Sequence, residues 1–172
     1  MTATGLLVNK LYSYTDLSAM LYLWLKTIHI ISATVLFGTG LGSAFYMFVA
    51  NRGKNIYDIV FASRLVVLAD WCFTTPALII QLGTGLIMAH MAGFSMVSGW
   101  VFGGLCLYFF AGACWLPVVW LQIKMKDMAA QALKQETDLP ALYWRYERLW
   151  VILGALAFPA VLVIFYLMVI KP

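Results

Sequence analysis

The chain alternates between long runs with no charged residue and short stretches where charges crowd together. After Lys26 no Asp, Glu, Lys or Arg occurs until Arg52, a second such run extends from Trp71 to Ile123, and a third from Leu149 to Ile170. A bilayer core about 30 Å thick is crossed by roughly 20 apolar residues of helix, so the first and third runs each predict one span, at about 22–50 and 149–170. The middle run is too long for one span and divides at AGFSMVSGW (92–100), rich in Gly and Ser, into spans at about 66–92 and 100–122. The pattern predicts an all-α polytopic membrane protein, an antiparallel four-helix transmembrane bundle in a single domain. NRGKNIYD joins the first two spans, and residues 124–148 read as a charged amphipathic segment on the cytoplasmic face. Residues 1–20 are mixed: Leu6, Leu7, Leu11, Tyr14 and Leu17 suit one face of a short interfacial helix, with Thr15 or Ser18 as a cap. Pro117 and Pro159 fall inside spans, where neighbouring helices can satisfy the freed carbonyls.

Composition sharpens this picture. Of 172 residues, 64% are hydrophobic and 10% charged, against about 25% charged in a soluble domain, so lipid must cover most of the surface. The net charge of +4 is no nucleic-acid signal; its placement sets topology. Arg52, Lys54, Arg64, Lys124, Lys126, Lys134, Arg145 and Arg148 flank the 1–2 and 3–4 connections, against Lys10, Lys26 and Lys171 on the other side. The positive-inside rule then predicts both termini outside the cytoplasm. Trp24 and Trp100 are expected in the outer aromatic belt, and Trp71, Trp120 and Trp150 in the inner one. Cys72, Cys106 and Cys114 lie in apolar stretches without a CxxC and read as packing residues. No cleavable signal peptide is expected, because the first apolar run is too long for one.

Candidate chemistry centres on the two histidines. The midpoint between His29 and His90 falls beside Val60, close to the turn between the first two spans, which predicts both imidazoles at one level near the outer surface. Intramembrane ionisable groups usually face the bundle interior and mark a function, and two imidazoles from adjacent helices can ligate one haem iron. His29 and His90 are therefore candidate metal ligands for haem b. Lys26, one turn before His29, would pair with a propionate. Glycines in GTGLG (38–42) and GTGL (83–86), Gly38 and Gly83 among them, would leave room for the macrocycle edge. The function expected is electron transfer near the outer surface, as a possible membrane oxidoreductase exchanging with a quinone or another redox partner. A copper-handling or transport protein using Met88, His90, Met91 and Met96, with Met20 nearby, is the alternative. A cofactor-free accessory subunit is a third reading, its glycines serving helix packing. A homodimer through Gly103, Gly104 and Gly112 is conceivable. Asp70 is expected near the inner interface, paired with Arg64 or a belt residue, and Gln81 is expected to bond a neighbouring helix.

The strings LWLKTIHIISATVLFGTGLGSAFYM, TPALIIQLGTGL and CWLPVVWLQIKMKD together resemble a predicted family of bacterial integral membrane proteins. The LWLKxxH start and the spacing from Pro76 to Gly83 are more distantly similar to HemJ-type protoporphyrinogen oxidases, small haem b membrane proteins grouped with the CopD copper-resistance proteins. That resemblance implies a four-helix haem scaffold, with His29 as a first-span haem histidine and Lys26 as its companion.

Overall fold

In a computed structural model, residues 3–97 and 99–172 are described, with side chains from Leu17 onward. The chain forms α1 (Ala3–Gly53), α2 (Ile56–Ala69), a π-helical turn (Asp70–Thr74), α3 (Thr75–Met91), α4 (Gly99–Gln135) and α5 (Ala141–Ile170). Among the described residues there is no strand. Four apolar helical stretches, Leu17–Gly53, Ile56–Met91, Gly99–Gln135 and Ala141–Ile170, are long enough to cross a membrane. They form the expected antiparallel bundle.

The helix boundaries follow local chemistry rather than the apolar limits. Lys54 takes a left-handed φ of 54° and stops α1. Asn55 then starts α2, its Oδ1 accepting the Tyr57 N–H at 3.0 Å. At its N-terminal side α1 runs unbroken through Thr15 and Ser18, so neither caps a separate helix; the proposed interfacial face at Leu6, Leu7, Leu11 and Tyr14 lies outside the described side chains. The charged segment 124–148 is not an independent element. Its first half continues α4 to Gln135, and its second half opens α5. Nothing between Lys124 and Gln135 breaks a helix, and the reversal waits for Glu136, at φ 53°, where the Thr137 N–H reaches back to the Ala132 carbonyl at 3.1 Å.

The two short connections, at 54–55 and 136–140, lie at one end of the bundle, called here the turn end. The tight core is in that half: Met47 of α1, Ile59 and Val66 of α2, Val118, Leu121 and Met125 of α4, and Tyr143 and Trp150 of α5 are all buried together. The Tyr143 hydroxyl donates to Asn51 Oδ1 at 2.7 Å, tying α5 to α1. Trp150, expected in an aromatic belt, is part of this core, because its position on α5 faces the other helices; Trp71 and Trp120 are exposed, as belt residues would be. Large apolar side chains such as Leu23, Phe45, Phe61, Ile79, Phe109, Leu116 and Ile152 point outward, the surface a lipid solvent requires.

Toward the other end packing loosens. α1 stays on α3 and α4 stays on α5, but α1 and α5 face each other across a gap. Phe37 bridges it, its ring centroid 4.8 Å from that of Phe158 and 5.6 Å from that of Phe165. This gap positions the site.

Candidate functional site

The second span is interrupted in its middle for a chemical reason. Pro76 has no N–H and its ring crowds the carbonyl four residues earlier. The helix widens into a π turn just before it, and the carbonyl of Asp70 accepts both the backbone N–H of Thr75 and its hydroxyl, the latter at 2.8 Å. Such turns inside α-helices occur frequently at functional sites. Here the turn directs Asp70 and Thr74 inward, and each is only 4% exposed. The Asp70 carboxyl lies beside the Thr74 hydroxyl and the Gln122 amide of α4. It does not pair with Arg64, which is exposed on another face; among the described residues the one ion pair is Lys126 with Asp127.

Above these residues a cavity of about 460 Å³ runs up the bundle between α1, α3, α4 and α5, a size usual for ligand sites. On α5 its wall extends from Trp150 to Phe165, roughly 22 Å of helix at 1.5 Å per residue. The lining is mainly apolar. Its polar members are Ser43, Asp70, Thr74, Gln81, Tyr108, Trp115 and Gln122. Four of them carry a buried polar atom outside any well-formed hydrogen bond, Asp70 Oδ2, Thr74 Oγ1, Trp115 Nε1 and Gln122 Oε1, with the Thr74 and Gln122 side chains close to the Asp70 carboxyl. Native interiors leave very few such atoms, and four on the wall of one cavity form a ready set of two acceptors, a hydroxyl and an N–H donor. The mouth is lateral. Leu41 and Phe45 on α1, and Val151, Gly154 and Ala155 on α5, line the cavity and are also exposed on the lipid-facing surface. Pro159 removes the helical partner of the Ala155 carbonyl at this mouth.

The histidines are arranged differently from the expected pair. His29 is buried and both its ring nitrogens are occupied: Nδ1 lies 2.8 Å from Thr84 Oγ1, and Nε2 lies 2.8 Å from Gln81 Nε2. The Ser32 hydroxyl donates to Gln81 Oε1 at 2.5 Å, so Gln81 does bond the neighbouring helix. His90 is exposed. It stands about 9 Å of helix beyond Thr84 and on a different face. The reason is the position of the turn. The chain reverses at Lys54 and Asn55, well before Val60, and a shift of the mirror point counts twice in the partner's number. The level of His29 is therefore that of Gln81 to Gly85. A haem iron held between two imidazoles needs one free nitrogen from each on a common axis, and the residues present do not fit that arrangement.

Lys26 is exposed on α1. A Cβ added at Gly38 or Gly83 would meet nothing within 4 Å, whereas one at Gly85 would come 3.2 Å from His29 Cε1. The glycine that the imidazole packs against is thus Gly85. Met20, Met91 and Met96 are exposed. A Cβ added at Gly103 would come 3.6 Å from Leu167 Cδ1 of α5, and Gly112 lines the cavity.

Sequence reasoning missed Thr74, Trp115 and Gln122. The available signal was Asp70 itself, a carboxyl one residue before a long uncharged run that contains a proline.

Fold and cavity together define a polytopic four-span membrane protein with a lipid-facing interior pocket. Residues 23–172 match the family described as predicted integral membrane protein (DUF2269), and the chain belongs to that family. No curated protein and no solved structure gives a significant match.

Proposed function

We propose that this protein binds a lipid-soluble molecule of the quinone–quinol class, admitted from the bilayer through the α1–α5 mouth. The observation that carries the reading is four buried polar atoms, none in a well-formed hydrogen bond, on the wall of one mainly apolar cavity. A quinone carbonyl accepts from the Trp115 N–H or the Thr74 hydroxyl. A quinol hydroxyl donates to Asp70 Oδ2 or Gln122 Oε1. The isoprenoid tail follows the apolar wall toward Phe158 and Phe165. An ionisable carboxyl inside a span most often belongs to a substrate or proton path, and Asp70 is placed to exchange a proton with the head.

The test is calorimetric titration of the detergent-purified protein with decylubiquinone. Saturable binding, weakened roughly tenfold by Trp115→Phe and by Gln122→Leu, is expected, since one lost hydrogen bond in a dry site is worth about 1.4 kcal/mol. Absence of saturable binding, or equal binding by both variants, refutes the reading.

A further inference from the structure

A second cavity, of about 1020 Å³, lies at the turn end between the α1–α2 turn and the α4–α5 connection. Its walls carry three basic side chains, Arg52, Lys54 and Arg148, and three acidic ones, Glu136, Asp138 and Glu147. None of these six makes an ion pair; among the described residues that contact occurs only between Lys126 and Asp127. Arg52 instead sits over the Phe48 ring, 4.9 Å from its centroid. The cavity also reaches Asn51, which is 2% exposed. Asn51 Oδ1 is taken by the Tyr143 hydroxyl, but its Nδ2 has no acceptor. A buried N–H left unpaired is costly, and this is the one partnerless buried atom among the described residues outside the central cavity. Arg52 and Arg148 stand just beyond the apolar runs that end at Ala50 and begin at Leu149, the depth of lipid headgroups.

Charges of both signs that surround one space without neutralising each other suit a ligand that carries both. A free anion would lie beside three carboxylates, and a free cation beside three bases. We propose that this cavity binds a phosphoethanolamine headgroup. The phosphate faces Arg52, Lys54, Arg148 and the Asn51 amide, and the primary ammonium faces Glu136, Asp138 and Glu147. Arginine and lysine at the membrane surface are known partners of lipid phosphate, and a primary ammonium offers three N–H donors to carboxylates. The proposal is independent of the quinone reading and uses none of its residues.

Native mass spectrometry of the full chain in detergent tests it, with phosphatidylethanolamine, phosphatidylcholine and phosphatidylglycerol of identical acyl chains as probes. Phosphatidylethanolamine is expected to bind at least fivefold more strongly than the other two. Arg148→Gln and Asp138→Asn, both exposed, are each expected to weaken it about fivefold to tenfold with unchanged thermal midpoints. Displacement of the lipid by glycerophosphoethanolamine would support the site with a soluble source for its ligand, and failure to displace would support a lipid source. Equal binding of phosphatidylcholine removes the ammonium half and overturns the proposal. So does stronger binding of phosphatidylglycerol, or wild-type binding by both variants.

Discussion

Thr74→Val is a substitution whose sign should change with ligand. The Thr74 hydroxyl is buried, lines the central cavity, and lies beside the Asp70 carboxyl without closing a well-formed hydrogen bond. Valine has the same shape and is also β-branched, so packing in the π turn is preserved while the hydroxyl is removed. An unsatisfied buried polar group costs about 1–3 kcal/mol. Ligand-free Thr74→Val should therefore be more stable than wild type by an amount of that order. For a chain of this length each kcal/mol corresponds to roughly 2–4 °C in thermal midpoint, so a rise of several degrees is expected. With quinone at about 100 times its dissociation constant, wild type gains about 2.7 kcal/mol by mass action. The variant, binding more weakly by the loss of one hydrogen bond, gains less, and its lead shrinks or reverses. The assay is thermal unfolding in detergent, followed by tryptophan fluorescence, with and without decylubiquinone. A variant less stable than wild type without ligand, or one with the same ligand-induced shift as wild type, would refute the reasoning that the hydroxyl is kept for a ligand.

Other consequences are equally specific. His29→Ala strips Thr84 and Gln81 of a shared buried partner and should cost about 3–5 kcal/mol, whereas His90→Ala, on the exposed face, should change the midpoint by no more than about 0.5 kcal/mol; equivalent losses in the two would restore the paired arrangement. Gly85→Ala places a methyl 3.2 Å from the imidazole and should destabilise by about 1–3 kcal/mol, non-additively with His29→Ala, as a double-mutant cycle would show. Tyr143→Phe leaves the whole Asn51 amide partnerless and should lower stability by about 1–3 kcal/mol in the same unfolding assay. A fluorescent protein inserted after Thr137, between α4 and α5, should fluoresce in a bacterial host if the basic turn end is cytoplasmic; a dark fusion present at normal abundance would reverse the orientation.

The four spans were legible because a bilayer tests one property, the length of an uncharged run, and that property is linear in the chain. The helix ends were less so: Lys124 to Gln135 is charged yet helical, since a helix that leaves the membrane has no reason to stop until a residue such as Glu136 turns it. The level of His29 was misjudged through the turn, where a small displacement of the reversal point moves the partner from Gln81 to His90. Gln81 was read correctly as an interhelical bond, because a mid-span amide has nowhere else to go. Trp115 and Gln122 were invisible as site residues, as nothing local distinguishes them from any polar residue on a helix.

By itself the sequence determined what lipid and water each demand: an all-helical bundle of four spans, charged at one end, apolar outside. Only the tertiary structure decided which polar atoms would meet. Hydropathy is summed along a chain and tolerates exchange of neighbours, whereas a hydrogen bond depends on the rotation and register of two helices to within an ångström. That rotation gave both nitrogens of His29 to Thr84 and Gln81, and it left Asp70, Thr74, Trp115 and Gln122 facing a cavity.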